Sequence, residues 1–156
     1  MTEAGAESTV LHLHRLIDAP AEKVFRAWTN PSELMRWFGP DGCSVDEVES
    51  ELVVGGRYSI RMTVPGGEKV HHFGEYLELE SPHRLAFTWV LSDQPCDGSA
   101  GQLADTKVVL DLAERGGKTA LTLIHERLPN ANAVEGHRMG WEGSLVRLVQ
   151  LVRSAP

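Results

Sequence analysis

The chain has 156 residues, 42% of them hydrophobic, and a formal net charge of −7. These values fit one globular domain over residues 1–156, with its core at about 10–152. Clustered lysines and arginines are missing from the sequence, so we expect neither nucleic acid nor an anionic membrane surface as a partner. No apolar run approaches the roughly 20 residues of a membrane span, which predicts no membrane insertion.

The N-terminal residues and the cysteines indicate a cellular compartment. Residues 1–7 are polar and acidic, whereas a secretory signal has a basic start and an apolar stretch. Cys43 and Cys96 are far apart and belong to no paired motif. We therefore expect free thiols and a reducing, cytoplasmic location.

The first part of the chain predicts a strand followed by two short helices. The strand covers residues 10–17. Pro20 and Glu22 suit the first turn of a helix, where a missing N–H costs little and a negative charge is favoured. Asn30 can cap the next helix, with Glu33 three residues later.

From residue 43 to residue 125 the pattern changes to strands and turns. Tyr58, Ile60 and Met62 alternate with polar residues, as in a strand with one buried face. The clearest alternation in the chain is that of Leu85, Phe87, Trp89 and Leu91. Turns are predicted at residues 65–67, 81–83 and 116–117, and a long loop is predicted from Ser92 to Ala104.

The last segment predicts a helix from about Asn132 to Val152, with Asn132 and Glu135 as a capping box. One apolar stripe is formed by Trp141, Leu145, Leu148 and Val152, at steps of four, three and four. Gly140 and Gly143 each cost on the order of 1 kcal/mol relative to Ala in a helix. They indicate a close approach to a backbone or to something held beneath the helix. Plain helix-on-sheet packing and the roof of a cavity both remain open.

The order of elements predicts an α+β fold. Consecutive hairpins pair antiparallel, and a sheet with one apolar face needs a helix to cover it. We therefore expect a curved antiparallel sheet wrapped around the long C-terminal helix, with the two short helices after the first strand.

Short motifs in a fixed order run from about Leu11 to Val152. They are Ile17–Pro20, Val24-Phe25, Ala27-Trp28, Thr29–Pro31, Trp37–Pro40, Val54–Tyr58, Gly74–Tyr76, Pro82–Leu85, Phe87–Trp89, Leu121–Leu123 with His125, and Gly140-Trp141 with Leu145 and Leu148. In these motifs the sequence resembles the START-like superfamily, also called SRPBCC or birch-pollen-allergen-like. Within it, the sequence resembles the branch named for homology to the activator of heat-shock protein 90 ATPase.

The resemblance implies a helix-grip fold and a binding protein that holds a small lipophilic molecule between the sheet and the last helix. A minority of the superfamily are enzymes, such as cyclases and dehydratases. The branch is named after a co-chaperone that carries a second domain, for which this chain is too short. A chaperone-interacting domain is therefore only a third, weaker hypothesis, and a chaperone partner is not expected. A homodimer is left open, and the ligand is not identified.

The predicted cavity combines wall residues with one polar contact, His125. The walls are Trp37, Phe38, Tyr58, Ile60, Met62, Phe87, Trp89, Leu123, Trp141 and Leu145. Aromatic and aliphatic side chains are the usual lining of such sites. His125 follows Leu121 and Leu123 in step, so it either orients a ligand or is a satisfied core histidine.

Catalysis is a second hypothesis. By parity with Phe73 and Leu77, Glu75 points inward, and an inward carboxylate or His125 could serve as an acid or base. The alternative for Glu75 is a carboxylate at the sheet edge or one paired with arginine. No nucleophile motif, zinc spacing or phosphate loop is found in the sequence, which predicts no metal and no cofactor.

Overall fold

The computed structural model describes residues 10–39, 42–92, 103–128 and 130–153 of the chain. The elements, in chain order, are β1 Leu11–Ile17, α1 Ala21–Thr29, α2 Pro31–Trp37, β2 Ser44–Ser50, β3 Arg57–Thr63, β4 Lys69–Glu80, β5 Arg84–Ser92, β6 Leu103–Arg115, β7 Lys118–Glu126 and α3 Ala131–Arg153. The strands form one sheet in the order β1-β7-β6-β5-β4-β3-β2. The predicted α+β architecture is confirmed, with a long C-terminal helix and two short helices after the first strand.

Every pairing in the sheet is antiparallel. The N-terminal strand β1 pairs with β7 and completes one edge, while β2 forms the other. One hydrophobic cluster joins buried side chains of the sheet with those of α1, α2 and α3. No helix among the described residues is both long enough and apolar enough to cross a membrane.

The buried faces of β3 and α3 are those that the periodic patterns predicted. Tyr58, Ile60 and Met62 are buried on β3, and the predicted stripe of α3 is buried from Trp141 to Val152. With Asn132 as its cap the helix would begin at residue 133, but it begins at Ala131. Asn130 rather than Asn132 caps it, since the Asn130 Oδ1 accepts a hydrogen bond of 2.9 Å from the Ala133 N–H.

The predicted long loop is shorter than expected. Strand β5 continues through Ser92, and β6 already begins at Leu103. The remaining part of the predicted loop, residues 93–102, lies outside the described residues, as does Cys96.

Of the two orientations left open for Glu75, the inward one is wrong. In the β3–β4 hairpin, Ile60 lies opposite His72 and Tyr58 lies opposite Gly74, and residues directly opposite each other project from the same face. The even-numbered residues of β4 as far as Tyr76 therefore face the core, and Glu75 is exposed. Gly74 is required at its position because a Cβ there would overlap the carbonyl oxygen of Thr88 on β5.

Candidate functional site

A cleft of about 340 Å³ opens between the first half of α3 and the sheet. Its size falls in the usual range of small-molecule sites. It is lined by Phe38, Gly39, Met62, His72, Trp89, Ala133, Gly136, His137, Gly140 and Trp141. These residues come from the end of α2, from three adjacent strands and from one face of α3.

The helical wall of the cleft is shaped by two glycines. Ala133, Gly136, His137, Gly140 and Trp141 follow the spacing of one helix face. A Cβ added at Gly136 or at Gly140 would meet no atom within 4 Å. Of the two alternatives for Gly140, a close approach to a backbone is therefore wrong, and this glycine faces open space.

The end of α2 is fixed to α3 beside the cleft. The Gly39 N–H donates to Ser144 Oγ at 3.1 Å, and Arg147 Nη1 donates to the Gly39 carbonyl at 2.9 Å. Ser144 in turn donates to the Gly140 carbonyl at 2.9 Å. Gly39 adopts a φ of 92°, a conformation that glycine reaches without steric cost. Phe38 is thereby held at the cleft wall.

Aromatic rings form the deep wall of the cleft. The Trp89 ring lies 5.2 Å from that of Trp141 and 6.0 Å from that of Phe38. His72 stacks on Trp89 with the ring centroids 4.4 Å apart and the planes 24° apart. Such contacts orient flat side chains with little freedom, so this wall is a rigid, flat surface.

His125 lies behind Trp141 in a closed hydrogen-bond network. Thr106 Oγ1 donates its single proton to the Trp89 carbonyl at 2.7 Å. The same oxygen lies 2.7 Å from His125 Nε2, so it must accept from an Nε2–H. His125 Nδ1 then accepts from the Trp141 Nε1–H at 3.1 Å. Both ring nitrogens are satisfied in the neutral tautomer.

Burial keeps the imidazoles of this region neutral. Desolvation, with a smaller contribution from the nearby His137, lowers the pKa of His125 to about 3 and that of His72 to about 4. Desolvation also lowers the pKa of His137, against the opposing effect of its bond to the Ala133 carbonyl. None of the side chains that line the cleft carries a charge near pH 7.

The predicted wall residues fall into three groups. Phe38, Met62, Trp89 and Trp141 line the cleft. A smaller inner cavity of about 20 Å³ is lined by Tyr58, Ile60 and Phe87, together with Phe38 and Trp89. The core, away from both spaces, contains Trp37, Leu123, His125 and Leu145, which are fully buried.

Neither acid–base candidate of the catalytic hypothesis reaches the cleft. Glu75 is exposed on the outer face of the sheet, and His125 is fully buried with both nitrogens engaged. Within the described part of the chain, no group of three or more His, Cys, Asp or Glu residues is placed to hold a metal ion. The cleft therefore presents an apolar surface of defined shape and hydrogen-bonding groups to a ligand.

Sequence reasoning missed His72 and His137. The hairpin register would have placed His72, since it pairs with the inward-facing Ile60. His137 stands four residues before Trp141, so the helical period would have placed it on the same face. Extending the predicted apolar stripe of α3 towards the N-terminus of the helix would have identified His137.

Solved bacterial structures are similar to this fold. A protein from Chromobacterium violaceum is 31% identical, with a TM-score of 0.81 over 93% of this chain and 97% of its own. The AHSA1 protein from Silicibacter pomeroyi is 25% identical, with a TM-score of 0.76 over 90% of this chain and 94% of its own. A protein from Nitrosomonas europaea, 23% identical, shares the fold with a TM-score of 0.77 over 94% and 96%. The fold and its cleft thus define a START-like domain of the helix-grip type.

The family can be stated more narrowly. The model of the family described as Activator of Hsp90 ATPase homolog 1-like protein matches residues 18–153. The chain belongs to this family, as its sequence motifs predicted. No curated protein matches the sequence.

Proposed function

We propose that the protein binds a small apolar molecule in the cleft between the sheet and α3. The observation that carries the proposal is the open space of about 340 Å³ against Gly136 and Gly140. Concave, mostly apolar clefts of this size are typical of small-molecule sites. Two glycines that weaken a helix in order to keep such a space open need a reason, and a bound ligand supplies one.

The chemistry of the walls supports an apolar ligand. The cleft is lined by aromatic rings, a methionine, small residues and neutral imidazoles. An ionised ligand would lose its hydration in this site without meeting an opposite charge, which is costly. Native mass spectrometry of the purified protein, followed by extraction and identification of retained molecules, tests for such a ligand. Detection of only charged molecules in stoichiometric amount would contradict the proposal.

Gly140→Leu is expected to abolish binding of an apolar ligand. The added side chain would occupy the open space, since nothing lies within 4 Å of a Cβ at this position. The free energy of unfolding should fall by less than about 1.5 kcal/mol, because the substitution fills space without forcing overpacking. Titration calorimetry and urea denaturation measure the two effects.

Gly140→Ala is the matched control. It should raise the free energy of unfolding by up to about 1 kcal/mol through helix propensity and leave most of the cleft open. Unchanged affinity in Gly140→Leu would place the ligand elsewhere. Failure of Gly140→Leu to fold, beside a stable Gly140→Ala, would show that the space is not available to a side chain.

A further inference from the structure

His137 and His72 are the imidazoles that line the cleft, and they approach it from opposite sides. His137 lies on α3 and His72 on β4. Both rings contact Trp89: His72 stacks on it at 4.4 Å, and His137 meets it edge-on at 6.4 Å. The other lining side chains are apolar or aromatic. Among the side chains that line the cleft, these two imidazoles are therefore the ones that carry a nitrogen able to accept a hydrogen bond.

The hydrogen bonds of His137 fix its tautomer. His137 Nδ1 lies 2.8 Å from the Ala133 carbonyl oxygen, and a carbonyl can only accept, so the proton is on Nδ1. The neutral ring then has an unprotonated Nε2, which can only accept a hydrogen bond. His125, whose ring centroid is 4.9 Å from that of His137, has both nitrogens engaged by Thr106 and Trp141. Among the described residues, Nε2 of His137 has no donor.

We propose that the cleft recognises an uncharged aromatic molecule with a hydroxyl group, and that His137 Nε2 accepts the hydrogen bond from that hydroxyl. This inference rests on the proposed function of the cleft. Phe38, Trp89 and Trp141 line the cleft, and aromatic rings attract one another in offset-stacked or edge-to-face contacts. The hydroxyl would donate to a ring nitrogen for which the described residues supply no donor, so binding would add one hydrogen bond between ligand and protein.

The test compares three naphthalene derivatives that differ in one substituent. 2-Naphthol carries the hydroxyl donor, 2-methylnaphthalene replaces it with a methyl group of similar size, and 2-naphthoate carries a negative charge. Titration calorimetry at pH 7.5 should show 2-naphthol binding roughly fivefold to tenfold more tightly than 2-methylnaphthalene, the usual net value of one hydrogen bond. 2-Naphthoate should bind more weakly than 2-naphthol.

His137→Phe is the decisive variant, because it keeps an aromatic ring in place and removes the acceptor. It should bind 2-naphthol and 2-methylnaphthalene equally, with the affinity for 2-methylnaphthalene changed less than about twofold. His72→Phe is the matched control and should retain the preference for 2-naphthol. In long-range proton–nitrogen spectra of the parent protein, 2-naphthol should shift the Nε2 resonance of His137 and leave Nδ1 protonated.

The outcomes separate the inference from the function on which it rests. Binding of 2-methylnaphthalene as tightly as 2-naphthol would overturn the role of His137 and leave the apolar cleft intact. A preference for 2-naphthol that survives in His137→Phe would also overturn that role. If none of the three compounds bound the parent protein while its cleft was shown to be open, both proposals would fail.

Discussion

Thr106→Val is expected to lower the free energy of unfolding by about 2–4 kcal/mol. Thr106 is fully buried, and valine would reproduce its shape without its hydroxyl. The His125 Nε2–H would lose its acceptor, and the Trp89 carbonyl would lose one donor. A buried polar group left without a partner costs roughly 1–3 kcal/mol. His125 cannot escape by changing tautomer, because Nδ1 must remain unprotonated to accept from Trp141.

Thr122→Val provides the comparison for this prediction. Thr122 lies on β7, and its hydroxyl bonds His14 at an exposed site, at 3.2 Å. Its replacement should change the free energy of unfolding by no more than about 0.5 kcal/mol, as for most surface positions. Chemical denaturation of both variants measures the difference. Equal costs for the two substitutions would show that the network around His125 contributes no particular stability.

The sequence predicted the elements whose signal is local and periodic. Residues of β3 alternate, and those of α3 repeat with the helical period, so the buried faces of both could be identified from a single segment. The face of β4 could not be identified in that way. Phe73 and Leu77 suggest the wrong parity because they are apolar on the outer face, where Phe73 packs against His71. Only the register with β3 decides which side is buried.

The same distinction applies to the candidate site: local patterns predicted some of its residues, and contacts between strands determine the others. Trp141 was predicted from the period of its own helix, and Met62 and Trp89 from the alternation of their own strands. The closed network of His125 could not be predicted, because it depends on Thr106, which is 19 residues away in sequence and has no unusual pattern around it. Thr106 reaches His125 because Val108, two residues further along β6, pairs with His125 on β7. The pairing between strands, rather than local composition, thus supplies the hydrogen-bond partner of His125.

The buried histidines should also make the stability of the protein depend strongly on pH. His125 and His72 have pKa values of about 3 and about 4 in the folded protein, whereas an unfolded histidine has a pKa of about 6.5. The unfolded chain therefore binds more protons below about pH 6.5, and protonation favours unfolding. The stabilising effect is fully present above pH 6.5 and is lost as the pH falls.

Between pH 7.5 and pH 5, the two histidines together should lower the free energy of unfolding by roughly 3–4 kcal/mol, at about 1.4 kcal/mol per pKa unit for each group. The lowered pKa of His137 adds to this effect in the same direction. Urea denaturation at half-unit steps of pH measures the slope, and the range stays above the ordinary pKa values of carboxyl groups. His72→Phe keeps a ring against Trp89 and removes one titrating group. The pH dependence of its free energy of unfolding should therefore be smaller by the contribution of one histidine. A stability that stayed constant over this range in the parent protein would contradict the neutral state of these imidazoles in the folded protein.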